Sequence, residues 1–231
     1  MSQTQARAGA AQIDEGLRAY MLGVYNYMAI AMGITGLVAF ATSQSPALMQ
    51  AIYGTPLQWL VMLAPLGFVF FLSFRVHKMS ASAAQITFWL FAAVMGLSLS
   101  YIFVAYTGMS ITRIFFITAG AFAGLSLVGY TTKKDLTGFG SFLIMGLIGI
   151  FIAMIVNIFL ASPAMQFVIS VLGVLIFAGL TAYDTQQIKN MYHAADSGEV
   201  STKKSIMGAL RLYLDFLNMF LFLLQLFGNR N

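Results

Sequence analysis

Phe142-Leu-Ile-Met-Gly-Leu-Ile-Gly-Ile-Phe-Ile-Ala-Met-Ile-Val-Asn157-Ile-Phe-Leu160 contains no charged residue. A helix rises about 1.5 Å per residue, so this stretch spans roughly 28 Å, close to the hydrocarbon thickness of a bilayer. Working outward from it, runs of the same kind recur in both directions. The expected spans are 20–42, 57–76, 83–106, 110–130, 138–160, 164–190 and 207–227. The chain therefore reads as an all-α membrane protein, a seven-transmembrane-helix bundle. Composition agrees: only 8% of the 231 residues are charged and 60% are hydrophobic, whereas a soluble domain carries roughly 25% charged residues.

Residues 1–19 are polar and include Asp14 and Glu15. They read as a cytoplasmic N-terminal tail, followed by a single seven-helix membrane domain over 20–231. Ala39-Phe40-Ala41 has the small-x-small pattern of a signal-peptide cleavage site. The apolar run before it is longer than the roughly 7–15 residues of such a peptide, so it reads as a span. Pro56 and Pro163 stand near helix starts, where a missing N–H does little harm. Pro65 falls inside the second span and is expected to kink or break it. Gly120-Ala-Phe-Ala-Gly124 is a GxxxG pattern, read as a packing face.

The net charge of +5 could suggest a nucleic-acid partner, but the basic residues sit in short clusters between the apolar runs or at their ends, with Arg211 just inside the seventh. Arg7, Arg18, Arg75, Lys78, Lys133, Lys134, Lys189, Lys203, Lys204 and Arg211 fall on one side of the membrane, and Arg113 and Arg230 on the other. Positive charge stays cytoplasmic, so the N-terminus is expected inside and, after seven spans, the C-terminus outside. The bilayer, rather than nucleic acid, is the expected partner; the sequence names no protein partner. With no cysteine in the chain, disulfides and thiolate metal sites are impossible. His77 and His193 are widely spaced loop residues with no zinc pattern. Phosphate loops and serine triads are absent, and no cofactor is implied.

Chemistry therefore rests on the acidic residues inside the spans, and there are two, Asp184 and Asp215. A charged aspartate at the centre of a membrane helix costs around 2.5–3.5 kcal/mol on insertion scales, and such residues usually face the bundle interior. Asp184 is near the cytoplasmic end of span six and Asp215 in the first half of span seven. The two spans run in opposite directions, so both aspartates lie in the cytoplasmic half. Matching their depths requires span six to stay helical beyond Lys189, or the chain after Lys204 to reach the membrane before turning inward. Two readings stand. In one, Arg211, four residues before Asp215 on the same helix face, simply neutralises it. In the other, the carboxylates meet and share a proton, which makes the pair a switch. Arg75 is the basic residue best placed to reach inward, unless it only snorkels to the interface. Asn157 and Asn218 could bond between helices or line a cavity, supporting the pair or a pore.

Three segments in order, Gly129-Tyr-Thr-Thr-Lys-Lys-Asp-Leu-Thr-Gly-Phe-Gly140, Gly179-Leu-Thr-Ala-Tyr-Asp184-Thr-Gln and Ser205-Ile-Met-Gly-Ala-Leu-Arg-Leu-Tyr-Leu-Asp215-Phe-Leu-Asn218, resemble the Bax inhibitor-1 (transmembrane Bax inhibitor motif) family. The resemblance covers nearly the whole chain from about Arg18 and is closest to the short bacterial type. It implies a seven-helix fold with the last helix central, a cytoplasmic (inner) membrane location, and a pH-sensitive calcium leak without enzymatic activity. Protonation of Asp184 and Asp215 would gate it, calcium would be the transported ion meeting those carboxylates weakly, and Arg75 would latch the closed state. The expected outer loops carry no acidic residue to collect calcium. The alternatives are a secondary transporter or proton exchanger, and a stress-modulating interaction protein. An intramembrane aspartyl protease would carry Gly-x-Gly-Asp on its second helix, where this chain has Leu212-Tyr213-Leu214-Asp215.

Overall fold

In a computed structural model, the backbone is described for residues 3–231 and the side chains from Glu15 onward. Among the described residues the elements are α1 (Gln3–Ser43), α2 (Pro46–Tyr53), α3 (Leu57–Arg75), α4 (Ala81–Leu99), α5 (Ile102–Ala105), α6 (Gly108–Thr131), α7 (Thr137–Leu160), α8 (Pro163–Asn190) and α9 (Gly198–Phe227). Seven segments are long and apolar enough to cross a membrane: Glu15–Ser43, Leu57–Lys78, Ala81–Ala105, Gly108–Thr131, Thr137–Leu160, Pro163–Asn190 and Gly198–Phe227. All seven expected spans are present. The largest shift is at the last, which starts at Gly198 rather than near 207, so the lysines at 203 and 204 are already helical. The stretch expected as a tail is helical from Gln3; the side chains of Arg7 and Asp14 lie outside the described residues.

Pro65 does not break its helix, and a break falls in the next span instead. α3 runs through Pro65 without interruption. Proline cannot donate to the Val61 carbonyl four residues back, and the Ser98 hydroxyl of α4 donates to that carbonyl instead. The third span, expected as one helix over 83–106, is interrupted between α4 and α5. There the Ser100 hydroxyl bonds the Leu97 carbonyl at 2.7 Å, and Tyr53 Oη donates to the Leu97 and Ser98 carbonyls at 3.0 Å each. Side chains thus serve carbonyls that a continuous helix would have used, which is how a break survives in apolar surroundings.

The chain divides into two compact units, and the division falls at this break. One comprises residues 1–101 and 188–210, the other 102–187 and 211–231. In the first, α1 packs on α4. Thr35 Oγ1 donates to the Ala92 carbonyl at 2.8 Å, and Gly96 leaves room for Val38, whose Cβ would lie 2.8 Å from an added methyl. Val24, Ala31, Ala84, Phe88 and Phe91 are fully buried there. At the end of α8, Lys204 Nζ bonds Asp196 Oδ2 at 2.6 Å and the Met191 carbonyl at 2.9 Å, tying the connection back to α9. α8 ends at Asn190, one residue beyond Lys189, and α9 already begins at Gly198.

The second unit holds α6, α7, most of α8 and the second half of α9. Phe216 meets Phe115 and Phe122 edge-on, at 5.4 and 5.5 Å between centroids. Residues 228–231 fold back on the α5–α6 connection: the Thr107 amide donates to the Asn229 carbonyl at 3.0 Å, and the Asn231 amide to Ala105 at 3.1 Å. Gly120 and Gly124 face open space, with nothing within 4 Å of a Cβ added at either. The GxxxG pattern expected as a packing face meets no partner among the described residues, because α6 presents its other face, Phe122, Ser126 and Gly129, to the interior.

Candidate gating site

The chemistry of the second unit is built on a segment of α8 held from several sides. Gly129 of α6 lies directly against the Ala182 backbone, so close that a Cβ would run into the Ala182 carbonyl oxygen. Ser126 and Thr185 share a hydrogen bond of 2.9 Å, both buried. On α7, Gly140 gives way to the Tyr183 ring, whose atoms would lie 2.5 Å from an added methyl. Gln186 clasps the α6–α7 connection: its Oε1 accepts from the Leu136 amide at 2.9 Å and its Nε2 donates to the Lys134 carbonyl at 2.8 Å. Residues on both sides of Asp184 are thereby fixed, and the carboxylate takes its direction from them.

Asp184 points at α9. Its Oδ1 lies 3.7 Å from Arg211 Nη1, and its carboxyl is in direct side-chain contact with that of Asp215. Asp215 is 4% exposed, and its Oδ2 is buried with no hydrogen-bond partner among the described residues. The aspartates identified from sequence do meet, on α8 and α9. Arg211 pairs with Asp184 on the facing helix rather than with Asp215 four residues along its own. At 3.7 Å, with the Arg211 side chain 48% exposed, this is a loose, partly solvated pair.

The remaining candidates lie elsewhere. Asn218, one turn beyond Asp215, donates to its own helix at the Leu214 carbonyl, 2.8 Å. Asn157 is at the opposite end of α7, where it donates to Gln166 Oε1 at 3.3 Å and accepts from the Ser162 amide at 3.1 Å. It fastens the α7–α8 connection and has no part in the carboxyl pair. Arg75 closes α3 in the other unit, exposed and without an ion pair among the described residues. No three His, Cys, Asp or Glu side chains converge among the described residues. Outside the spans, Asp135 Oδ1 accepts from the Thr137 hydroxyl at 2.6 Å and amide at 2.9 Å, which holds its carboxyl below the ordinary 3.8.

An antiparallel helix pair carrying two touching carboxyls, gripped by glycines at both ends of the 129–140 segment, is the arrangement that the three sequence segments share. The sequence model described as "Inhibitor of apoptosis-promoting Bax1" matches residues 17–231. The chain belongs to the Bax inhibitor-1 family. It is similar to the uncharacterized protein RP147 of Rickettsia prowazekii, 48% identical over 94% of this chain and 92% of the relative. It is also similar to the inner membrane protein YbhL of Escherichia coli, 45% identical over 93% of each chain. Residue by residue, the sequence does not single out Gly129, Gly140 and Gln186 within the Bax inhibitor-1 segments, or Ser126 just before them. The signal was available: the two glycines bound the first segment and Gln186 follows Asp184 by two. Uncharged residues announce no chemistry, however, and their role here is to aim a neighbour.

Proposed function

We propose that this integral membrane protein of the Bax inhibitor-1 family is a passive, pH-sensitive cation leak, with calcium as the transported ion, gated by the protonation state of Asp184 and Asp215. The observation that carries the reading is the contact between these carboxyls, one of them buried with an oxygen that has no partner among the described residues. Two carboxylates in contact cannot both ionise cheaply, so the closed contact is favoured when they share a proton. As pH rises and the shared proton leaves, repulsion grows and the helices separate. Calcium takes six to eight oxygen ligands in a stable site; two carboxylates offer too few to retain it, which suits passage better than storage.

In this reading Arg211 biases Asp184, Asn218 and Asn157 support the pore or the helix pair around it, and Arg75 is the latch of the closed state, as the family resemblance implies. α9 takes the middle of the bundle, supported by the burial of 72% of its apolar window against 11–33% in the other spans. The N-terminus is cytoplasmic and the C-terminus outside, from the ten-to-two distribution of Lys and Arg. A cysteine placed within 197–202, at the start of α9, should label from the cytoplasmic face; labelling only from outside reverses the orientation.

The test is calcium flux into liposomes containing only this protein, at several pH values, for the intact chain, Asp184→Asn and Asp215→Asn. Flux should rise with pH in the intact chain, and each Asn variant should flatten that dependence. Arg75→Ala should raise flux at acid pH. Unchanged pH dependence in both folded Asn variants would remove the pair as the sensor. Saturable flux coupled to a proton gradient would instead make the protein an exchanger, and absence of any flux would favour a partner-modulating role.

A further inference from the structure

The carboxyls occupy one end of a longer seam between α8 and α9. Seven residues back from Asp184 on α8 is Phe177, and seven forward from Asp215 on α9 is Phe222. Their rings stack at 6.0 Å between centroids and 28° between planes. Both are buried, at 5% and 6% exposure. The ring of Phe222 also presses on α8 at Gly173, where a Cβ would lie 2.5 Å from Phe222 Cδ2. Only a glycine lets the ring lie that close to the helix. Beyond the rings the seam becomes polar again: Gln225 Oε1 accepts from Gln166 Nε2 at 2.8 Å and from Ser170 Oγ at 3.0 Å. Ser170 is buried and Gln225 exposed. The order along the helix pair is thus carboxyls, a buried aromatic stack and an amide clasp at the exposed Gln225. Asp215 and Phe222 are about 10 Å apart along α9.

Phenyl rings offer a hydrated cation no ligand and exclude water from a narrow passage, which is how apolar constrictions block conduction. We propose that Phe222, seated on Gly173 and stacked on Phe177, is the barrier closing the carboxyl end of this seam from the membrane face on which Gln225 lies. The Gln225 clasp holds the two helices together over that seat. The inference rests on the cation-leak reading for what the barrier stops, but the barrier can be observed without any ion.

The chain lacks cysteine, so Asn218→Cys reports accessibility on the carboxyl side of the ring and Gln225→Cys on the far side. Both are labelled with a membrane-impermeant thiol reagent applied to the Gln225 face of oriented proteoliposomes. With Phe222 intact, Cys at 218 should react roughly tenfold or more slowly than Cys at 225, as expected across a dewetted constriction. Phe222→Ala should bring the two rates within a few-fold, and Phe222→Leu should preserve most of the protection. Gly173→Ala, which unseats the ring without removing it, should also speed labelling at 218 and covers the case in which Phe222→Ala does not fold. Rapid labelling at 218 with Phe222 intact would overturn the barrier. So would continued protection in folded Phe222→Ala or Gly173→Ala protein. Calcium flux on the same samples separates the two readings: labelling that opens while flux stays at zero supports the barrier and defeats the calcium leak.

Discussion

The two polar ends of the α8–α9 seam use the same kinds of atoms to opposite effect. At the Gln225 end, an amide oxygen receives two hydrogen bonds, from Gln166 and Ser170, and Asn157 extends the set to the α7–α8 connection. At the Asp215 end, two carboxyls touch, Arg211 lies 3.7 Å from Asp184 and is half exposed, and one Asp215 oxygen is buried without a partner among the described residues. A satisfied polar cluster stabilises one arrangement of the helices. Under the proposed function, an unsatisfied one is stable only in some protonation states and so responds to pH. Polarity inside a membrane protein therefore does not by itself mark a functional site.

The largest expected effect tests what holds the responsive end in place. Gly129→Ala should force α6 and α8 apart at Ala182 and lower thermal stability in detergent by about 1–3 kcal/mol, the usual cost of overpacking. Gly120→Ala, facing open space on the same helix, should change it by less than about 0.5 kcal/mol. Equal effects would show that the close contact at Gly129 is not what positions Asp184.

The direct comparison follows. Ser170→Ala removes one bond of the amide clasp and should cost about 1 kcal/mol while leaving the pH profile of flux unaltered. Asp215→Asn should do the reverse: it relieves a buried carboxylate, so thermal stability at neutral pH should hold or rise, while the pH profile flattens. A marked loss of stability with the profile retained would return Asp215 to the role of a structural charge. Arg211→Gln should lower stability by less than about 1 kcal/mol, because the pair with Asp184 is long and partly solvated; a larger loss, measured by thermal unfolding, would show that Arg211 also neutralises Asp215.

The smallest effect lies at the exposed Asp135. Its carboxyl is held below 3.8 by the two Thr137 donors. A depressed carboxylate stabilises the fold above its unfolded value, and that contribution is lost as pH falls through the lower folded value. Asp135→Asn should therefore unfold at slightly lower temperature than the intact chain at pH 7, and the difference should vanish once the pH is low enough to protonate the folded-state carboxyl. A difference that persists in acid would assign the effect to the turn geometry rather than to the charge.

Seven spans and two intramembrane aspartates were legible in the chain because hydropathy, length and charge are local properties: the bilayer imposes them on each helix separately. Local rules also give an expected direction for each helix, and hence the expectation that Asp184 and Asp215 share one half of the membrane. Only the tertiary structure decided which groups meet. By helical spacing Arg211 could pair with Asp215, yet it reaches Asp184. Gly120 and Gly129 are equally small and lie on the same helix, yet only Gly129 touches α8. Pro65 is expected to kink or break α3, and α3 continues unbroken with Ser98 serving the carbonyl it leaves free, while a break comes at Ser100. In each case the outcome depends on the rotation and register of a neighbouring helix. The sequence period places a side chain on a face of its own helix and says nothing of what the next helix brings to it.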